Sequence, residues 1–313
     1  MALNKMYGKG FASAIVLSAL LTITLFYLTF EVPNFLDKVL HQYFPEVSFD
    51  VEAIEKMLST LRPIGYASLT VTITIIVLGF INKKSALTFL GSLALYLPTF
   101  GYFAFAMFFL TGLGALRALW LPILEFSPSI LKLGCIVYIP ISVIPYAPLI
   151  GMVITFIGLL VFSLAATTWL YGRFRGYELI DFWIYKYSRH PQYLGFILWS
   201  YGLLIFVSYK TYVKGALATP PALIWLVSAM IVIGIALFEE IEMVKKHGER
   251  YEEYRKRTPF MMPLPRPLTK LIMLPMKIVG GYPKSMRDVI GVVMLYTAIL
   301  VALSYILMVI LGP

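Results

Sequence analysis

Arg189, His190 and the adjacent carboxylates Glu239 and Glu240 are the residues here whose types and spacing suit ion binding and proton transfer. They fall in two short polar clusters. The first is Ser188-Arg189-His190-Pro191-Gln192-Tyr193-Leu194-Gly195. The second opens at Glu239-Glu240 and runs through His247-Gly248, Tyr251, Tyr254 and Arg257 to Thr258-Pro259. A helix start offers free backbone amides, and an arginine beside it makes a good seat for a carboxylate or phosphate. A histidine there can act as a base. Two carboxylates that close a long uncharged run are costly at membrane depth and tend to mark function. Tyr193, one turn into the helix, can stack on a heterocycle.

Each cluster also has a plain structural reading. Pro191 suits the first turn of a helix, with Ser188 before it as a capping residue and Arg189 as a surface anchor. Tyr193 then belongs to an aromatic belt. Glu239 and Glu240 mark where a helix leaves the membrane and continues as a charged surface helix, helped by an i,i+4 pair between Glu242 and Lys246. Gly248 interrupts that helix, and Tyr251 and Tyr254 share one face of the next.

The rest of the chain has to position these clusters. It has 313 residues, 60% of them hydrophobic and 13% charged. Soluble domains carry roughly 25% charged residues, so the composition predicts a multi-pass membrane protein. A spanning helix needs about 20 apolar residues. Uncharged runs of that order cover Gly10–Phe30, Pro63–Asn82, Ser85–Leu116, Leu133–Gly172, Pro191–Tyr209, Gly215–Phe238 and Val289–Pro313. Pro140, Pro145 and Pro148 interrupt the fourth run, so 133–147 is expected to be broken, re-entrant or interfacial, with the span at 149–171. The prediction is an all-α bundle of about seven to eight transmembrane helices. The first run follows Lys5 and Lys9, is too long for a cleaved signal, and is expected to be retained.

Three regions follow: 1–148 as an N-terminal transmembrane region with an extracytoplasmic loop at 31–62, 149–270 as the core that carries both clusters, and 271–313 as a linker with an extra C-terminal helix. The 31–62 loop holds Glu31, Asp37, Glu46, Asp50, Glu52 and Glu55 against Lys38, Lys56 and Arg62. Eleven lysines and arginines lie between Glu239 and Asp288. The positive-inside rule then puts the N-terminus and both clusters in the cytoplasm. The clusters bracket a hairpin of two spans, 191–209 and 221–238, with a short outer loop at 209–220. A net charge of +10 points to anionic headgroups. No basic domain stands apart for nucleic acid. One cysteine, Cys135, and three scattered histidines, His41, His190 and His247, argue against a metal site.

Taken together, the clusters resemble the isoprenylcysteine carboxyl methyltransferase and phospholipid methyltransferase superfamily of integral membrane enzymes. The matching pattern is Arg189-His190-Pro191, Tyr193, Gly195, then Glu239-Glu240, Gly248, Tyr251, Tyr254, Arg257, Pro259 and Pro263, over about residues 149–263. The resemblance implies methyl transfer from S-adenosyl-L-methionine at the cytoplasmic face, without a soluble nucleotide-binding domain. It implies cofactor contacts from Arg189, His190, Tyr193, Gly195, Glu239, Glu240, Tyr251 and Tyr254, and catalytic roles for His190, Glu239 and Arg257. The implied partners are membrane lipids and a lipophilic or prenylated acceptor. Gly234 departs from the eukaryotic prenylcysteine pattern, which places an arginine there for the substrate carboxylate. A lipid amine, an isoprenoid carboxylate, a thiol and a quinone-like hydroxyl are all open as acceptors. The alternatives are a sterol-reductase-like enzyme using NADPH, which usually lacks the Glu-Glu pair, and a non-catalytic lipid-binding or transport protein. A transporter would show internal repeats and mid-membrane ionisable residues, and this sequence has neither.

Overall fold

The computed structural model describes residues 10–27, 51–104, 128–209 and 222–311. Among them the regular structure is entirely helical. The elements are α1 (Gly10–Tyr27), α2 (Val51–Ile81), α3 (Ser85–Ala104), α4 (Ile139–Ser142), α5 (Ala147–Phe174), α6 (Pro191–Tyr209), α7 (Ala222–His247), α8 (Glu249–Arg257), α9 (Arg266–Ile272), α10 (Leu274–Ile278) and α11 (Met286–Leu311). Two 3-10 helices, Pro128–Val137 and Trp183–Lys186, join them.

Five of the described helices are long and apolar enough to cross a membrane: α1, the Arg62–Ile81 part of α2, α5, α7 and α11. The protein is thus a helical membrane bundle. The apolar helices α3 and α6 fall on two further expected spans. Residues 133–147 form no membrane-length helix, as the proline spacing predicts. They hold the end of a 3-10 helix, the single turn α4 and the start of α5.

Helix α2 differs from the sequence reading. It begins at Val51, inside the expected 31–62 loop. Hydropathy finds only the apolar part of a helix, so charges hid its first turns. Residues 28–30 of the first run, residues 31–50 of that loop, the 209–220 outer loop beyond Tyr209, the end of the Ser85–Leu116 run past Ala104, and Lys5, Lys9 and His41 lie outside the described residues.

Two compact units emerge. The first gathers Met1–Leu25, Met152–Gly202 and Ile233–Tyr296; the second gathers Phe26–Gly151, Leu203–Val232 and Thr297–Pro313. In the second unit, Ser92 and Ser228 join their hydroxyls at 2.7 Å. Cys135 sits buried there with its sulfur 3.5 Å from the Ser304 carbonyl. Small polar residues of this kind commonly join apolar helices.

The first unit contains both polar clusters. Its helices α5 and α6 meet through two glycines. A Cβ on Gly158 would lie 2.2 Å from the Trp199 nitrogen, and one on Gly195 would lie 2.5 Å from the Phe162 nitrogen. Only glycine lets the two backbones approach this closely. Ser18 of α1 donates to the Ser163 carbonyl at 2.6 Å. A second apolar centre packs Leu237 and Ile241 of α7 against Met276, Val289 and Val292.

Local sequence explains the elements around the clusters. Pro191 opens α6, where a missing amide donor costs nothing. Gly248 ends α7 with φ of 52°, a conformation that glycine accepts without strain. Helix α8 carries Glu249 and Glu252 in its first turn and Arg255, Lys256 and Arg257 in its last, the charge order that favours a helix dipole. Pro259 stops it.

Candidate active site

The first unit brings the two clusters together around Glu240. This residue has no solvent exposure. Arg189 Nη1 lies 3.0 Å from its Oε1 and donates to Oε2 at 3.1 Å. His190 Nε2 lies 3.2 Å from Oε1. The Tyr282 hydroxyl also donates to Oε2. Three groups therefore saturate one buried carboxylate, and its charge is balanced by a buried guanidinium. Such pairs are expensive to desolvate and destructive to break.

Glu239 is different. A helix turns by about 100° per residue, so the neighbouring carboxylate points elsewhere. Its side chain keeps 35% of its exposure. Tyr193 donates its hydroxyl to Oε1 at 2.7 Å, and His190 Nδ1 stands 3.9 Å from Oε2. The His190 ring thus lies between the two glutamates. Tyr193 stacks on it at 5.9 Å, and Phe260 meets it edge-on at 5.2 Å. The Arg189 guanidinium lies 5.7 Å from the Phe260 ring centre. Arg189 Nε and Ser188 Oγ are buried with no hydrogen-bond partner among the described residues.

The chain beyond α8 returns to the start of α6. The Arg189 amide donates to the Pro259 carbonyl at 3.1 Å. Tyr254 donates its hydroxyl to the Tyr185 carbonyl at 2.7 Å. Tyr251 and Tyr254 pack with Leu179 in a buried cluster. Burial pushes the phenols of Tyr185, Tyr251, Tyr254 and Tyr282 up from their ordinary range, reinforced at Tyr251 and Tyr282 by the nearby Glu240 charge. All four remain protonated at physiological pH, and Tyr254 and Tyr282 donate their hydroxyls.

Of the residues singled out from sequence, Arg189, His190, Tyr193, Glu239 and Glu240 form one connected network. Tyr251 and Tyr254 of α8 are buried against Leu179, and Tyr254 bonds the Tyr185 carbonyl. Gly195 faces the Phe162 backbone, where a packing contact requires it. Arg257 pairs with Asp181 and lies 5.7 Å from the Tyr254 ring centre, so its charge ties α8 to the segment before the first cluster. Glu242 pairs with Lys245 at 3.1 Å, one residue earlier than expected. Tyr282, Phe260 and Asp181 were not foreseen. Isolated aromatic and acidic residues outside a motif carry no signal of their partners.

The fold and the site together define a helical membrane protein built around a buried Arg-His-Glu network. Residues 141–258 match a family model described as a protein of unknown function, DUF1295. That stretch contains the first cluster and the second through Thr258. Comparison with curated proteins and with solved structures found no match.

Proposed function

We propose that this protein is an S-adenosylmethionine-dependent methyltransferase acting on a lipophilic acceptor at the cytoplasmic membrane face. The supporting observation is the unequal pair of carboxylates. Glu240 is saturated inside the protein, whereas Glu239 is partly open beside His190.

The residues fit the cofactor's chemistry. Its ammonium group and ribose hydroxyls need an accessible acceptor, which Glu239 offers. Its carboxylate needs a donor, and Arg189 Nε is a buried donor without a partner among the described residues. When bound, S-adenosylmethionine supplies an electrophilic methyl group on a cationic sulfur.

The chain's own residues supply binding and alignment. Glu240 fixes Arg189 and His190, so neither rotates away. Tyr193 orients Glu239 through its hydroxyl. Tyr193 and Phe260 shield the His190 ring from water, which strengthens the charge interactions there. His190 Nδ1 is the atom that can take a proton from an acceptor amine or hydroxyl; a carboxylate acceptor would need no base. The apolar helices can deliver an amphiphile from the bilayer. Gly234 offers no cation for a prenylcysteine carboxylate, which favours a lipid amine or a hydroxyl-bearing lipid as acceptor.

Thermal shift in detergent tests the cofactor class. S-adenosylhomocysteine should raise the melting temperature, and NADPH should leave it unchanged. Stabilisation by NADPH alone would assign the site to the reductase-like alternative. Radiolabelled S-adenosylmethionine with total membrane lipid should then label one lipid fraction and reveal the acceptor.

A further inference from the structure

We propose that Tyr282 is a positioning residue of this site, acting through Glu240 on His190. Residue 282 lies beyond the stretch that matches the family model, and no motif in the sequence points to it. The proposal extends the reading of the site as a cofactor site.

Several independent features aim this side chain. Gly280 and Gly281 have φ of 92° and 98°, values that residues with a Cβ adopt only under strain. They turn the chain after α10 so that Tyr282 comes back toward α7. Just before them, Val279 packs on the cluster of Leu237, Met276 and Val289 and anchors the turn. The Arg255 guanidinium lies 4.7 Å from the Tyr282 ring centre, and that of Arg189 lies 6.0 Å away. Two cations near one ring favour its electron-rich face. The hydroxyl at the end of this ring donates to Glu240 Oε2.

The consequence is a division of labour on one carboxylate. Tyr282 holds Oε2, His190 Nε2 faces Oε1, and Arg189 Nη1 reaches both oxygens. Removing the Tyr282 hydroxyl frees the Glu240 carboxylate to rotate. Rotation changes the hydrogen bond at His190 Nε2, and with it the presentation of Nδ1 toward Glu239. Tyr282 touches neither Glu239 nor His190 through any described hydrogen bond, so its effect must pass through Glu240.

Tyr282→Phe keeps the ring under Arg255 and deletes only the hydroxyl. Two measurements test it. Nitrogen NMR of the 15N-histidine-labelled protein has three histidines to resolve, with His190 assigned by His190→Gln. The His190 ring resonances should move in Tyr282→Phe. Titration calorimetry with S-adenosylhomocysteine should show roughly tenfold weaker binding, the scale of a hydrogen bond to a charged group. Tyr296→Phe is the control, because the Tyr296 hydroxyl bonds backbone at Ile272 and Met276 and not Glu240, and it should change neither readout. Unmoved His190 resonances, or affinity within about twofold of the parent, overturn the proposal. If the parent protein binds no S-adenosylhomocysteine, the methyltransferase reading fails and the NMR measurement alone decides Tyr282. If Tyr282→Phe does not fold, Arg255→Ala removes the cation over the ring, together with the ion pair to Glu252 on the same helix. It should shift the same resonances, and their constancy overturns the proposal.

Discussion

Arg189 and Glu240 meet at 3.0 Å with side chains 5% and 1% exposed, although 51 positions separate them in the chain. The contact joins the start of α6 to the buried end of the apolar run in α7. It is the central tie of the site, because His190 and Tyr282 reach the same carboxylate.

Breaking that tie should cost stability before it costs chemistry. Glu240→Ala leaves a buried guanidinium without its counter-charge, and such losses run to about 3–5 kcal/mol. Arg189→Ala leaves the reverse. Denaturant unfolding in detergent should show both variants destabilised on that scale, and a change below about 1 kcal/mol in either would remove the pair from its structural role.

Glu239→Gln should behave in the opposite way. Its side chain is 35% exposed and its protein contacts are a tyrosine hydroxyl and a distant histidine. The melting temperature should stay within about 2 °C of the parent, equivalent to a surface-scale change. Binding of S-adenosylhomocysteine by titration calorimetry should weaken about tenfold or more, on the scale of a charged hydrogen bond. Equal affinity would separate Glu239 from the cofactor.

Gly195→Ala separates packing from binding. The added methyl would stand 2.5 Å from the Phe162 nitrogen, so α5 and α6 must part. Overpacking of this kind costs about 1–3 kcal/mol. The unfolding free energy should fall by that amount while cofactor-product affinity, measured well below the melting temperature, stays unchanged. Lost affinity with normal stability would place Gly195 in the binding site.

The buried tyrosines set an alkaline limit. Burial raises the phenols of Tyr185, Tyr251, Tyr254 and Tyr282 above the usual value near 10. The unfolded chain therefore releases these protons first as pH rises. Their contribution to stability is complete below pH 10 and is lost above it, up to the folded-state values. Melting curves between pH 8 and 11 should fall steeply past 10, and Tyr251→Phe should fall less steeply than the parent. An identical slope would show that Tyr251 ionises as freely in the fold as in the unfolded chain.

The sequence alone determined the membrane class, since long uncharged runs have no other stable setting than lipid or a buried core. It also located both polar clusters, because charge beside such runs stands out. The break at 133–147 was legible from three prolines, and the end of α7 from one glycine. It did not distinguish Glu239 from Glu240, because composition is blind to which way a helix face turns. Neither did it show that Gly195 serves a backbone contact with Phe162, or that Arg257 is held by Asp181. Tyr282 was the least visible, since it lies in a turn, its partner lies on a helix far away in sequence, and no local pattern records that contact. Burial and partnership are properties of packed surfaces, so only the tertiary structure could decide which of two adjacent carboxylates holds the site together and which one it leaves open.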